Sequence, residues 1–206
     1  MVTPLYNKCL RCNFEKLFKQ KGYAYFTKGA YNLNIIGVRK NNNNQVTNLF
    51  DDYLIVIYKT PNGMEHRNIY SITTEPGLYY MTNSSGNKKG TAILVPGQYR
   101  GCWEIGKHKG KYTALCQKKP VKVYRDGNYD KVYNMKPETI QEGVFGINIH
   151  RSNEYGVSTQ INKWSAGCQV FSDVRDYNAF MYLCKNQADR YGNNFTYTLI
   201  KEEDLI

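Results

Sequence analysis

From Tyr31 to His150 the chain is built of short apolar runs cut off by turn residues, and that punctuation limits what it can become. The first run, residues 31–39, alternates around Leu33 and Ile35, and the four asparagines at 41–44 read as a loop tip. Residues 51–59 (DDYLIVIYK) are a continuous apolar stretch, the pattern of a strand buried on both faces. Pro61-Asn62-Gly63 signals a hairpin into residues 66–74. Further strands are expected at 90–95, 98–106, 111–117 and 121–125, with glycines and prolines between them. In residues 144–150 (VFGINIH), Ile147 and Ile149 point one way and Asn148 and His150 the other. Abundant tyrosine, 19 residues, with only 6 prolines favours the same strand-rich outcome.

Two segments break the β pattern. Phe14, Leu17 and Phe18 recur at helical spacing, which predicts a short amphipathic helix over residues 12–22 with Gly22 as its stop. Val174, Tyr177, Phe180, Met181 and Cys184 mark one face of a helix over 173–191, capped by Ser172 or Asp173 and ended by Gly192. Residues 195–200 close the chain as a strand. The expected fold is mainly β (α+β): one β-sandwich or barrel domain over residues 31–206, an N-terminal helical extension over 1–30, and one helix near the end. A content of 41% hydrophobic and 22% charged residues excludes disorder and fibrous repeats. No apolar run approaches the roughly 18–20 residues of a membrane-spanning helix, and the first 25 residues lack the apolar core of a secretory signal. The six cysteines (Cys9, Cys12, Cys102, Cys116, Cys168 and Cys184) are expected as mostly free thiols, in keeping with synthesis in a reducing cytoplasm.

Lysine and arginine number 28 against 17 acidic residues, and a net charge of +11 calls for an anionic partner: nucleic acid, an anionic membrane surface or a cell-wall polymer. The basic residues are spread along the chain without a zinc-finger or RNP motif, which makes nucleic acid the weaker rival. Chemistry concentrates in residues 150–171. His150 ends a strand, and 14 residues later comes Ser165-Ala166-Gly167-Cys168. A thiol needs a base or a positive neighbour to become a nucleophile, and a histidine brought beside a Gly-Cys turn supplies one. Such a pairing is expected to lower the thiol pKa below its free value of about 8.5. Gly167 lets the backbone approach a substrate, so the N–H groups of Gly167 and Cys168 are candidates for an oxyanion hole. Trp164, next to the turn, reads equally as core or as substrate platform.

These residues resemble the L,D-transpeptidase catalytic domain (YkuD-like). That family carries His, then 14–17 residues, then Ser/Thr-His-Gly-Cys, an apolar residue, and Asn or Arg. The likeness extends from residues 53–58 (YLIVIY) through 71–77 (SITTEPG), 90–99 (GTAILVPGQY) and 145–150 (FGINIH) to the helix and final strand, covering roughly residues 31–201. It departs at Ala166, which replaces the family's second histidine, at Val170, which replaces Arg or Asn, and at Gln169, where an apolar residue is usual. The resemblance implies a cysteine acyltransferase or peptidase acting on peptidoglycan stem peptides, with no cofactor. Cys168 is its nucleophile, His150 its base, and Arg151 or Ser152 supplies the carbonyl that orients the histidine. Gly167, Ser165 and Arg151 then shape the site, and Trp164 and Gln169 are weaker substrate contacts. The missing export signal suits a phage-type murein enzyme made in the cytoplasm, either an endolysin or a virion component that opens the wall during infection. A structural or tail-associated virion protein with weak or no activity is the alternative.

Other motifs are weaker. Cys9-Leu10-Arg11-Cys12 suggests zinc, but zinc needs four ligands and no second close pair exists, so surface thiols at a helix start are the expectation and no metal is assigned. Asp126-Gly127-Asn128-Tyr129-Asp130 resembles the opening of a calcium loop. Its sixth position is Lys131 rather than Gly and its twelfth is Pro137 rather than Glu, so the EF-hand pattern fails and a polar turn is expected.

Overall fold

A computed structural model describes residues 3–83 and 87–205. Eleven strands form among them: β1 (Asn34–Arg39), β2 (Asp52–Lys59), β3 (Glu65–Thr73), β4 (Thr91–Leu94), β5 (Gly97–His108), β6 (Tyr112–Gln117), β7 (Val121–Asp126), β8 (Gln141–Gly143), β9 (Ile149–Arg151), β10 (Gln169–Phe171) and β11 (Phe195–Lys201). Eight of them close a barrel in the order β1-β11-β5-β6-β9-β10-β3-β2, and β4-β7-β8 make a small separate sheet. Most pairs are antiparallel; β1 with β11 and β9 with β10 are parallel. The mainly β expectation therefore holds, in its barrel form.

Four helices decorate the barrel: α1 (Pro4–Arg11), α2 (Phe14–Lys21), α3 (Leu78–Thr82) and α4 (Val174–Tyr191). The Asp173 side chain caps α4 by accepting from the Arg175 N–H, and Tyr177, Phe180, Met181, Leu183 and Cys184 form its buried face. The helix expected over residues 12–22 forms as α2, capped by the Asn13 side chain and ended by Gly22, and a second helix, α1, which was not expected, precedes it.

The N-terminal helices explain why β1 and β2 are apolar on both sides. Ile35, Leu54 and Val56 face the barrel interior. Ile36, Val38, Ile55 and Ile57 face outward and are sealed by Leu5, Cys9, Phe14, Leu17 and Phe18. Arg67 ties the helical pair down by donating to the carbonyls of Cys9, Leu10 and Cys12. Cys9 and Cys12 are therefore buried in this seam, which corrects the expectation of surface thiols; a C-x-x-C at a helix end has one face free to turn inward. Cys9, Cys102, Cys116, Cys168 and Cys184 are free thiols.

Candidate active site

β9 and β10 lie side by side, with Ile149 opposite Gln169, His150 opposite Val170 and Arg151 opposite Phe171. The Gln169 N–H extends the pairing to the Asn148 carbonyl at 2.9 Å. Ile149 and Phe171 point into the core. Alternation then places His150 and Cys168 on the outer face as diagonal neighbours. A rise of ~3.3 Å per residue and a strand spacing of ~4.8 Å put their Cα atoms about 8 Å apart, within reach of an imidazole and a thiol.

The turn that carries Cys168 is closed on itself. Ser165, fully buried, donates its hydroxyl to the Cys168 carbonyl at 2.8 Å and accepts the Gly167 N–H at 3.1 Å. Its own carbonyl accepts the Gly77 N–H at 2.9 Å. Gly167 adopts φ +119°, and a Cβ there would lie 2.2 Å from the Ala92 carbonyl oxygen, so both conformation and space require glycine. The Gly167 N–H, one of the two oxyanion-hole candidates, is thus engaged by the Ser165 hydroxyl.

Gln169 also moves from its expected place. It is fully buried, its amide nitrogen donating to the Gly167 carbonyl at 3.3 Å and its oxygen accepting the Tyr197 hydroxyl at 2.8 Å. It braces the turn from inside the barrel rather than contacting substrate. Tyr197 reaches it because β1 offers Gly37, where a Cβ would lie 1.8 Å from the tyrosine oxygen. Val170 is likewise fully buried, whereas Ala166 is exposed beside the thiol.

His150 Nδ1 lies 2.8 Å from the Arg151 carbonyl, as the resemblance implies for one of its two candidates. A carbonyl only accepts, so Nδ1 carries the proton and Nε2 keeps the lone pair of a base. Tyr112 donates to the same carbonyl at 3.2 Å and lies 3.2 Å from Nδ1. The His108 ring stacks on His150 with centroids 4.0 Å apart. The Asn148 side chain orients His108: its oxygen accepts the Gln117 N–H at 2.9 Å, so its amide nitrogen donates to His108 Nδ1 at 3.0 Å. His108, Tyr112 and Asn148 were missed as site residues. The one signal in the sequence was that His108 is among only three histidines.

The electrostatics are those of a neutral pair. Burial pushes the Cys168 thiol up to about 11, against the Asn148 N–H directed at the sulfur and the nearby Lys109 charge. The thiol donates to the Gly146 carbonyl at 3.3 Å. Burial, then the neighbouring His108, takes His150 down to about 3, and burial takes His108 to about 4. The expected drop in thiol pKa is therefore reversed at rest: desolvation outweighs every positive neighbour.

A cleft of about 580 Å³ opens beside the histidines, lined among others by His108, Lys109, Lys111, His150, Arg151, Lys163 and Trp164. Cys168 is not on that lining, whereas His150 is. Arg151 packs its guanidinium over the Tyr112 ring and pairs with Glu154 at 3.2 Å. Trp164 is 45% exposed, which resolves its double reading in favour of the surface. Among the described residues no three His, Cys, Asp or Glu gather as a metal site, and no helix is long and apolar enough to cross a membrane. No protein-family model, no curated protein and no solved structure matches the chain.

Proposed function

We propose that this chain is a cysteine-dependent peptidoglycan-processing enzyme that acts on stem-peptide L,D bonds. The observation that carries the reading is a β9 histidine with Nδ1 held by the Arg151 carbonyl, sharing a face with Cys168, the residue that leads into the adjacent parallel β10. In the reaction, His150 Nε2 takes the thiol proton as sulfur attacks the peptide carbonyl carbon. The imidazolium returns that proton to the leaving amine as the C–N bond breaks, leaving a thioester on Cys168. Water then attacks the thioester as His150 takes one of its protons, the C–S bond breaks to release the peptide carboxylic acid, and the imidazolium returns the proton to the Cys168 thiolate. Cleavage is favoured over cross-linking because the exposed Ala166 offers no group to hold an acceptor amine beside the sulfur. The basic cleft and the net charge of +11 suit an anionic wall, as an endolysin or a virion-associated murein hydrolase needs.

A virion structural role with little activity has one observation in its favour: thiol and imidazole are both neutral at rest. Mass spectrometry of purified muropeptides incubated with the protein and with Cys168→Ala separates the two. Tripeptide products that vanish in the variant support the enzyme. Products equal in both, or none in either, reject it, and cross-linked dimers as the main product reject the hydrolase form.

A further inference from the structure

The loop from Asp126 to Asn134, which follows β7, fails the EF-hand pattern in its letters but not in its shape. Asp126 is buried, only 3% exposed. Its Oδ2 accepts the Asn134 N–H at 2.7 Å, which turns the carboxylate toward the loop. Its Oδ1 is also buried and has no hydrogen-bond partner among the described residues. Buried carboxylate oxygens are normally satisfied, because an unpaired one carries the full cost of desolvation.

The centre of the loop is oversupplied with oxygen. The Asn134 amide nitrogen stands 3.0 Å from the Val132 carbonyl, 3.2 Å from Asn128 Oδ1, and 3.3 and 3.5 Å from the two Asp130 oxygens. An amide has two hydrogens for these four acceptors, of which Asp130 Oδ1 also accepts the Val132 N–H at 2.9 Å and Asp130 Oδ2 the Asn128 amide at 2.8 Å. The Val132 carbonyl faces inward because its neighbours face out: the Lys131 carbonyl accepts the Val46 N–H and the Tyr133 N–H donates to the Asn44 carbonyl.

We propose that Asp126, Asn128, Asp130, the Val132 carbonyl and Asn134 form a Ca²⁺ site. These residues stand at the first, third, fifth, seventh and ninth places of a calcium loop, the seventh through its backbone. Lys131, in the sixth place where glycine is usual, adopts the left-handed φ of +65° all the same. Rotating the Asn134 amide presents its oxygen in place of its nitrogen. Small inward shifts of the loop then bring these oxygens to Ca²⁺–O distances of ~2.3–2.6 Å, with water completing the shell. All donors are hard oxygens, which selects Ca²⁺ over zinc, and the small octahedral shell of Mg²⁺ fits this ring poorly. With two carboxylates and no glutamate in the twelfth place, affinity falls at the weak end, a Kd of ~10⁻⁴–10⁻³ M. The ion braces Tyr133, whose buried hydroxyl donates to the Pro76 carbonyl at 2.8 Å, next to the Gly77 that holds Ser165.

The full chain, stripped with chelator, is titrated with CaCl2 while its Tm is followed, and Tb³⁺ luminescence sensitised by Tyr129 reports direct occupancy. The expected result is tyrosine-excited Tb³⁺ emission displaced by Ca²⁺ and a Tm rise of roughly 3–10 °C at about 10 mM Ca²⁺. Asp130→Asn, at an exposed position that leaves the core intact, is expected to weaken Ca²⁺ binding about tenfold or more and remove most of the rise. No Tm rise and no Tb³⁺ emission in the wild-type chain overturns the site. So does an unchanged response in Asp130→Asn, or a response to Mg²⁺ as large as that to Ca²⁺.

Discussion

Alkylation of Cys168 against pH tests the neutral-pair description directly. Burial takes the thiol up to about 11, against about 8.5 for a free cysteine. At pH 7 that leaves about 300-fold less thiolate than an unperturbed thiol has. The more basic thiolate is the better nucleophile, and a Brønsted slope of about 0.4–0.5 recovers about 10–20-fold. Cys168 should therefore react with iodoacetamide about 20-fold more slowly than a free cysteine. Its rate should climb about tenfold per pH unit to pH 10 without levelling. Isotope-coded alkylation, read on the Cys168 peptide by mass spectrometry between pH 5 and 11, measures this site by site. A plateau that sets in below pH 7 and disappears in His150→Ala would mean a preformed thiolate–imidazolium pair and refute the reasoning.

Gly167→Ala forces a Cβ to 2.2 Å from the Ala92 carbonyl oxygen at a φ of +119°; a loss of at least about 2 kcal/mol in urea unfolding is expected, and wild-type stability would remove the close-approach argument. Deleting residues 1–22 bares Ile36, Val38, Ile55, Ile57 and Ile200; at about 1.5–3 kcal/mol each this rivals the whole stability of a domain, so the truncated chain should be insoluble or unfolded by circular dichroism, and a folded monomer would show the extension to be dispensable. Glu75, 3.3 Å from Arg39, is pushed up to about 8 by burial and by Asp52, against the pull of Arg39. The folded state therefore keeps a proton that the unfolded state releases above about 4.3, and stability should fall by a few kcal/mol as pH rises from about 4.5 through 8. Urea midpoints across that window should show the fall, and Glu75→Gln should flatten it.

The strands were legible because their period is short and their ends are marked. Residues 51–59 announced a strand buried on both faces, and Leu54–Ile57 are indeed fully buried. What covers the outer face was not legible, because Phe14, Leu17 and Phe18 say only that a helix has an apolar side. β8 and β10 are three residues each, too short for any period to show. Cys168 and His150 stood out by residue type and turn context. Gln169 was misplaced because polarity next to a cysteine reads as a surface contact, when here it satisfies Tyr197 across the barrel. His108 and Tyr112 face each other across the β5–β6 hairpin, and the pairing of β6 with β9 brings them to Asn148 and His150, a neighbourhood no local pattern announces. At Lys131 the backbone takes the left-handed φ of +65° that a calcium loop usually gives to glycine, which residue letters alone do not reveal.

The resting pair also limits how the proposed chemistry can start. A thiol near 11 beside an imidazole near 3 does not exchange its proton without help, so a substrate must raise the basicity of His150 as it binds. The cleft offers the means. Lys109 and Arg151 are among the charges that hold the imidazole down, and both line the cleft beside it. An anionic stem peptide seated against them cancels their field at His150, and the attack of sulfur on the carbonyl lets the proton move as the new bond forms. On this account the basic residues serve the reaction as well as adsorption to the wall. NMR titration of the His150 ring in Cys168→Ala, alone and with a tetrapeptide muropeptide, should show its pKa rise on binding. Lys109→Ala should raise it in the free protein and shrink the further rise. A pKa unmoved by bound muropeptide would sink the idea that substrate charge activates the base.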